Sequence, residues 1–323
     1  MRSGKSYTMA PMHAPTFSFS IPTPLAEWEL QHQIQQSLND RLTGRILITF
    51  PNDRTESIFV QQGKVRGVYI RNHRVPDLNW ESPIKRFGRG TLEIEPMPMR
   101  ALMFKRIILE ELASGKSQVI GTNQLATMFN LAEYNLIPTL CHIHWEHAEG
   151  FVLIAGKNIS ICRAVLLTET TADDGPSALS QILTWEETQC KVTAYHGDIQ
   201  NQAWLEVHLN ILLEWYCRNM LDYYKQLTGA VMVRSVLQSL SMLAERKGWN
   251  ISTQDQQLKD TSMFLNAAET GNTYREILSA LKSRIEPIIG SSLTHNMIKQ
   301  SVEPTQGVYK TIQETFGLIE AAQ

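Results

Sequence analysis

Two stretches of this chain, about a hundred residues apart, run through the same order of strand-like and helix-like segments. In the first, Ile34, Leu38 and Leu42 make a helical stripe over residues 25–42, and Thr43-Gly44 stops it. Residues 45–50, 57–60 and 65–70 are β-rich runs joined by polar turns at 51–53 and 61–64, which predicts an antiparallel meander. A loop over 77–85 leads into a short helix. An alternating strand follows at 91–95, closed by Pro96 and Pro98, then an amphipathic helix at 101–112. The second stretch offers a helix-like segment at 134–145 and a strand at 151–154 in the place of 45–48. It continues with strand material at 159–168, a helix from Gly175 to near Trp185, a strand at 189–195 and a closing helix from Trp204. Gly44 aligns with Gly150, and Leu102 with Leu205 or Glu206, to within a few residues. That agreement predicts a duplicated unit, a tandem pair and not a solenoid.

Beyond the second unit the period is helical. Residues 204–227 form one long stripe ended by Thr228-Gly229, and 230–246 a second ended by Gly248; residues 249–260 read as a polar connection. Thr273 and Glu276 have capping-box form ahead of Ile277, Leu278, Leu281 and Ile285, with Pro287 and Gly290 closing that helix. Pro304 stands at a first helical position before Val308 and Ile312. The predicted class is α+β: two tandem small antiparallel-sheet-plus-helix units followed by an all-helical C-terminal bundle. The boundaries fall at 1–24 (a flexible tail), 25–115, 116–220 and 221–323.

With 43% hydrophobic and 19% charged residues in 323, the chain can build real cores, so disorder is excluded as its main state. A net charge of -2 argues against a wholly basic nucleic-acid binder. No apolar run approaches the roughly 20 residues that span a bilayer, and the N-terminus lacks the apolar core of a secretory signal. Cys141, Cys162, Cys190 and Cys217 form no C-x-x-C pair and suggest reduced thiols. A cytoplasmic location is expected.

The charge is distributed unevenly. Residues 64–106 carry ten Lys/Arg against four Asp/Glu, and residues 141–215 carry three against ten. Two copies of one unit with opposite charge could attract each other or meet different partners. The basic residues Lys64, Arg66, Arg71, Arg74, Lys85, Arg86 and Arg89 are the candidate interaction set.

Motifs for chemistry are sparse. Gly4-Lys5-Ser6 lacks the strand and the earlier glycine of a phosphate loop. There is no G-x-S-x-G, and the paired acids at 110–111, 173–174 and 186–187 diverge as sequence neighbours. Residues 86–90 (RFGRG) read as a turn before a strand. Cys141, His144 and His147 are the weak metal candidates, since helical spacing brings them to one face and turns His142 away. No metal, cofactor or catalytic set is expected.

The first unit's Gly44-x-x-Leu47, its hairpin 58–65 (IFVQQGKV), its 87–96 segment (FGRGTLEIEP) and Ile107-Ile108-Leu109-Glu110 resemble the PatA N-terminal (PATAN) family of bacterial signalling domains. The likeness covers about residues 30–115, more loosely 135–220, and stops before the C-terminal third. It implies a non-catalytic signalling adaptor that works by protein contact, associated with two-component regulators. The expected partner is an acidic signalling protein, a second copy of the chain being a further one; no membrane contact is expected. The rival reading is a regulator that binds nucleic acid or a phosphorylated or anionic ligand through the basic unit, with Arg66, Tyr69, Arg71, His73 and Arg74 meeting phosphates.

Overall fold

A computed structural model describes residues 19–111, 116–133, 137–156, 162–197, 199–254, 257–260, 262–264, 266–302, 305, 307–318 and 320. The first unit comprises β1 (Phe19–Ala26), α1 (Glu27–Asn39), β2 (Gly44–Thr49), β3 (Thr55–Gln61), β4 (Lys64–Ile70), β5 (His73–Arg74), α2 (Glu81–Phe87), β6 (Arg89–Pro96) and α3 (Met99–Glu110). The second comprises β7 (Lys116–Gly121), α4 (Leu125–Glu133), β8 (Thr139–His144), β9 (Ala148–Ile154), β10 (Cys162–Thr168), β11 (Ala172–Asp174), α5 (Pro176–Leu183), β12 (Gln189–His196) and α6 (Gln202–Thr228).

Each unit builds one six-stranded antiparallel sheet. The orders are β1-β6-β2-β3-β4-β5 and, from the equivalent edge, β7-β12-β8-β9-β10-β11. Exchanging each strand for its counterpart in chain order converts one sheet into the other. The duplication is therefore present in the topology, and the fold is α+β as expected.

The copies align differently from the sequence reading. Residues 139–144 are strand β8, not helix. Pro138 disfavours helix in the residue before it, and only six residues separate it from the turn into β9. Gly150 thus lies in β9, the counterpart of β3, whereas Gly44 opens β2. The expected tail also supplies structure, since residues 19–26 pair with β6 as an edge strand.

In each unit two helices cover one sheet face and the closing helix takes the other side. Leu30 and Ile34 of α1 and Ile84 of α2 pack on Ile46, Ile48, Ile58, Val68 and Leu92. Leu125 and Phe129 of α4 and Ala178 and Ile182 of α5 do the same in the second unit. The opposite faces meet in one central core. There Phe59 and Tyr69 join α3, and Phe151, Leu153 and Val165 join α6.

The helix α6 continues into α7 (Ala230–Lys247), α8 (Ala267–Ile289), α9 (Ser291–Val302) and α10 (Val308–Thr315). This region is not wholly helical: β13 (Ile251–Gln254) and β14 (Gln257–Asp260) make a hairpin that buries Ile251 and Leu258. Helix α8 begins at Asn266, whose side chain accepts from the Glu269 amide at 2.8 Å. Thr273 therefore lies inside the helix, as does Pro287. Pro304 lies outside the described residues. The region touches both units: the Met263 amide donates to Gln61 and the Tyr309 hydroxyl to the Ala155 carbonyl.

Gly63, in the hairpin that carries the family likeness, has φ +77 and donates its amide to the Leu42 carbonyl at 2.9 Å. A Cβ there would stand 2.2 Å from the Leu38 carbonyl oxygen at the end of α1. Gly63→Ala combines a left-handed φ with a backbone collision. It is expected to lower stability by about 1–3 kcal/mol in urea unfolding.

Candidate functional site at the junction of the two units

The structure divides the basic set by position. Lys64 is exposed at the β3–β4 turn, and Arg66 is half-buried at a bulge where Val60 pairs Val65 but Phe59 pairs Gly67. At the other end of the sheet three connections meet, β2–β3, β4–β5 and α2–β6. The Arg71 amide donates to the Thr55 carbonyl there, and Thr49 pairs Thr91. Arg54 and Arg86 stand 5.1 and 5.7 Å from the centre of the Phe87 ring. Arg71, Arg86 and Arg89 are exposed and Arg54 is half-buried beside them. Lys85 pairs with Glu81 on α2 at 2.7 Å. Sequence reasoning missed Arg54, which lies outside the basic stretch and joins the rim only through the sheet.

Arg74 belongs elsewhere. It reaches Glu206 of α6 at 3.3 Å, beside the fully buried Arg106. Arg106 donates Nη1 and Nη2 to the two Glu206 oxygens at 2.6 and 3.0 Å, and Nε to the Tyr69 hydroxyl at 3.1 Å. Tyr69 in turn donates to Glu110, whose other oxygen accepts from the Ala203 amide in the first turn of α6. A carboxylate at a helix N-terminus is favourably placed. Burial opposes the Arg106 charge and Glu206 outweighs it, so its pKa stands well above the usual range. Burial likewise pushes the Tyr69 hydroxyl up to about 12.

Two further pairs cross the junction, Arg100–Asp174 at 2.5 Å and Lys105–Glu149 at 2.8 Å. Arg74, Arg100, Lys105 and Arg106 therefore all reach carboxylates of the second unit (Glu206, Asp174 and Glu149), Lys105 sharing its charge with Glu95 of the first. The opposite charges of the two copies face each other. His73 is exposed, while Tyr69 and Arg74 are committed to the junction, which removes them from the phosphate-contacting set.

Above α3 the units leave an open cleft of about 450 Å³. Glu93, Glu95 and Lys105 line one side; His144, His147, Glu149 and Glu169 line the other. In β8, alternation sends Cys141 and Ile143, and Trp145 just beyond the strand, into the core under α4 and α5, and Leu140, His142 and His144 to the other face. The three metal candidates named from helical spacing do not converge. Cys141 is buried on the wrong face, and His147 is 65% exposed in the turn. His142, His144 and Glu149 come together instead, with donor atoms all within 4.8 Å of one another. The His-x-His spacing was the available signal, legible only with the strand period.

Burial would raise the Glu149 carboxyl, but the His142 hydrogen bond and Lys105 outweigh it and hold it well below the usual carboxylate range. Desolvation and the neighbouring His142 lower His144. Burial raises the Cys190 thiol and pushes Cys217 up to about 12, so neither is poised as a thiolate nucleophile. Among the described residues no helix is long and apolar enough to cross a membrane.

Comparison with protein-family models, curated proteins and solved structures finds no match to this chain.

Proposed function

We propose that this protein is a non-catalytic signalling adaptor of the kind the PATAN resemblance implies, working in the cytoplasm, and that its first unit docks an acidic protein. The observation that carries this reading is the arginine rim at one end of the first sheet. Docking of the second unit engages Arg74, Arg100, Lys105 and Arg106, whereas Arg71, Arg86 and Arg89 stay exposed at that end of the sheet, where Arg54 and Arg86 flank Phe87. Cations flanking an aromatic ring suit carboxylate-rich surfaces, and such rims act chiefly on association rate and specificity.

The triple variant Arg71→Glu, Arg86→Glu and Arg89→Glu tests it. Wild type, used as bait in an extract of the native host, is expected to retain a defined protein set in nuclease-treated extract, less of it as salt rises. The variant is expected to lose that set while its thermal midpoint is unchanged. Retention of the same set by the variant contradicts the reading. Capture that disappears on nuclease treatment favours the nucleic-acid rival.

A further inference from the structure

We propose that His142, His144 and Glu149 form a binding site for a divalent transition-metal ion of the zinc type, opening into the cleft between the units. The inference stands apart from the partner reading above and rests on three observations.

The first is convergence. His142 and His144 are two residues apart on β8, so their side chains leave the same face, and their ring centres are 4.1 Å apart. Glu149 is the direct cross-strand partner of His144 on β9. Its Oε1 lies 2.7 Å from His142 Nε2 and 4.0 Å from His144 Nε2. All three ligands come from one short hairpin, so small rotamer adjustments around a shared point suffice.

The second is how the carboxylate is held. Glu149 turns Oε1 toward the histidines, while Oε2 accepts from Lys105 of α3 at 2.8 Å. A ligand carboxylate anchored through its other oxygen is the usual outer-sphere arrangement of metal sites. Lys105 also lies 3.8 Å from Glu95, so its charge is divided between two carboxylates and weighs less on an incoming cation. The His142 ring is fixed by stacking on Phe151 at 4.8 Å and 6°.

The third is the ligand set and its access. Two imidazoles and one carboxylate suit zinc, cobalt, nickel or copper and disfavour magnesium and calcium, which prefer oxygen. Three protein ligands leave a position open to a water or an exogenous donor. His144 is 47% exposed and lines the cleft, so that position faces solvent.

The test uses the full chain, stripped with chelator and titrated with Zn²⁺ and Co²⁺. One equivalent of zinc is expected, in the micromolar range or tighter. The Co²⁺ form should show d–d absorption without a thiolate charge-transfer band. His142→Gln and His144→Gln should each weaken binding at least tenfold, with Cys141→Ser and His147→Gln unchanged. His144→Gln, at the more exposed position, is the variant expected to keep the fold, checked by circular dichroism. The proposal is overturned if no stoichiometric site appears, if the double variant His142→Gln with His144→Gln binds as wild type does, or if Cys141→Ser or His147→Gln abolishes binding.

Discussion

Arg106→Met is expected to lower the unfolding free energy by about 3–5 kcal/mol, the usual result of leaving one member of a buried ion pair behind. Glu206 would stay 5% exposed with only Arg74 at 3.3 Å, and the Tyr69 hydroxyl would lose its donor. Restoring neutrality should recover most of the loss. Arg106→Met with Glu206→Met removes both buried charges, and apolar replacement of a buried pair is often neutral. The surviving Arg74, 17% exposed, can turn to water. A double-mutant cycle in urea reads the coupling directly. If Arg106→Met stays within about 1 kcal/mol of wild type, the network is not what joins the units.

The second large effect is pH-dependent. Among the described residues, neither buried Glu56 carboxyl oxygen has a hydrogen-bond partner. Desolvation pushes its pKa up to about 8, against a partial opposing pull from Arg54. The folded value exceeds the unfolded one, so the folded chain binds the extra proton between about pH 4.5 and 8. This contribution to stability is full below the unfolded pKa and is lost as pH rises through that window. From pH 5 to pH 7 the loss is about 2–3 kcal/mol at 1.36 kcal/mol per unit. Glu56→Gln does not titrate, so its stability relative to wild type should climb over that range. His208 gives the opposite slope. Burial lowers it to about 3, with neither ring nitrogen partnered among the described residues, so stability falls as the medium acidifies below pH 6.5. Comparing wild type with Glu56→Gln at each pH cancels the His208 part. A constant difference between the two proteins would show that Glu56 is ionised in the fold.

The meander of β2–β4 and the stops at Gly229 and Gly248 are local signals, carried by period and turn residues, and were legible. The edge strand β1 was hidden by Pro22 and Pro24. They fall where its register shifts between Ile21 and Leu25, a place an edge strand tolerates. Strand β8 was hidden because six residues fit either period, and the choice of period decides whether His144 meets His147 or His142. The basic stretch was visible but its division was not. What separates Arg74 from Arg71 is Glu206, 132 residues away from Arg74 in the chain. No local pattern encodes a partner at that distance.

The two copies of the unit meet in one apolar core, and the buried Arg106–Glu206 pair must stay matched across it for the junction to hold. Amide hydrogen exchange of the intact chain, wild type against Arg106→Met, tests it most directly. Protection should fall together in β4 and β5 of the first unit and in the first turns of α6 in the second, with the sheet centres unchanged. Faster exchange confined to α3 around the substitution, with α6 and β4–β5 as in wild type, would contradict it.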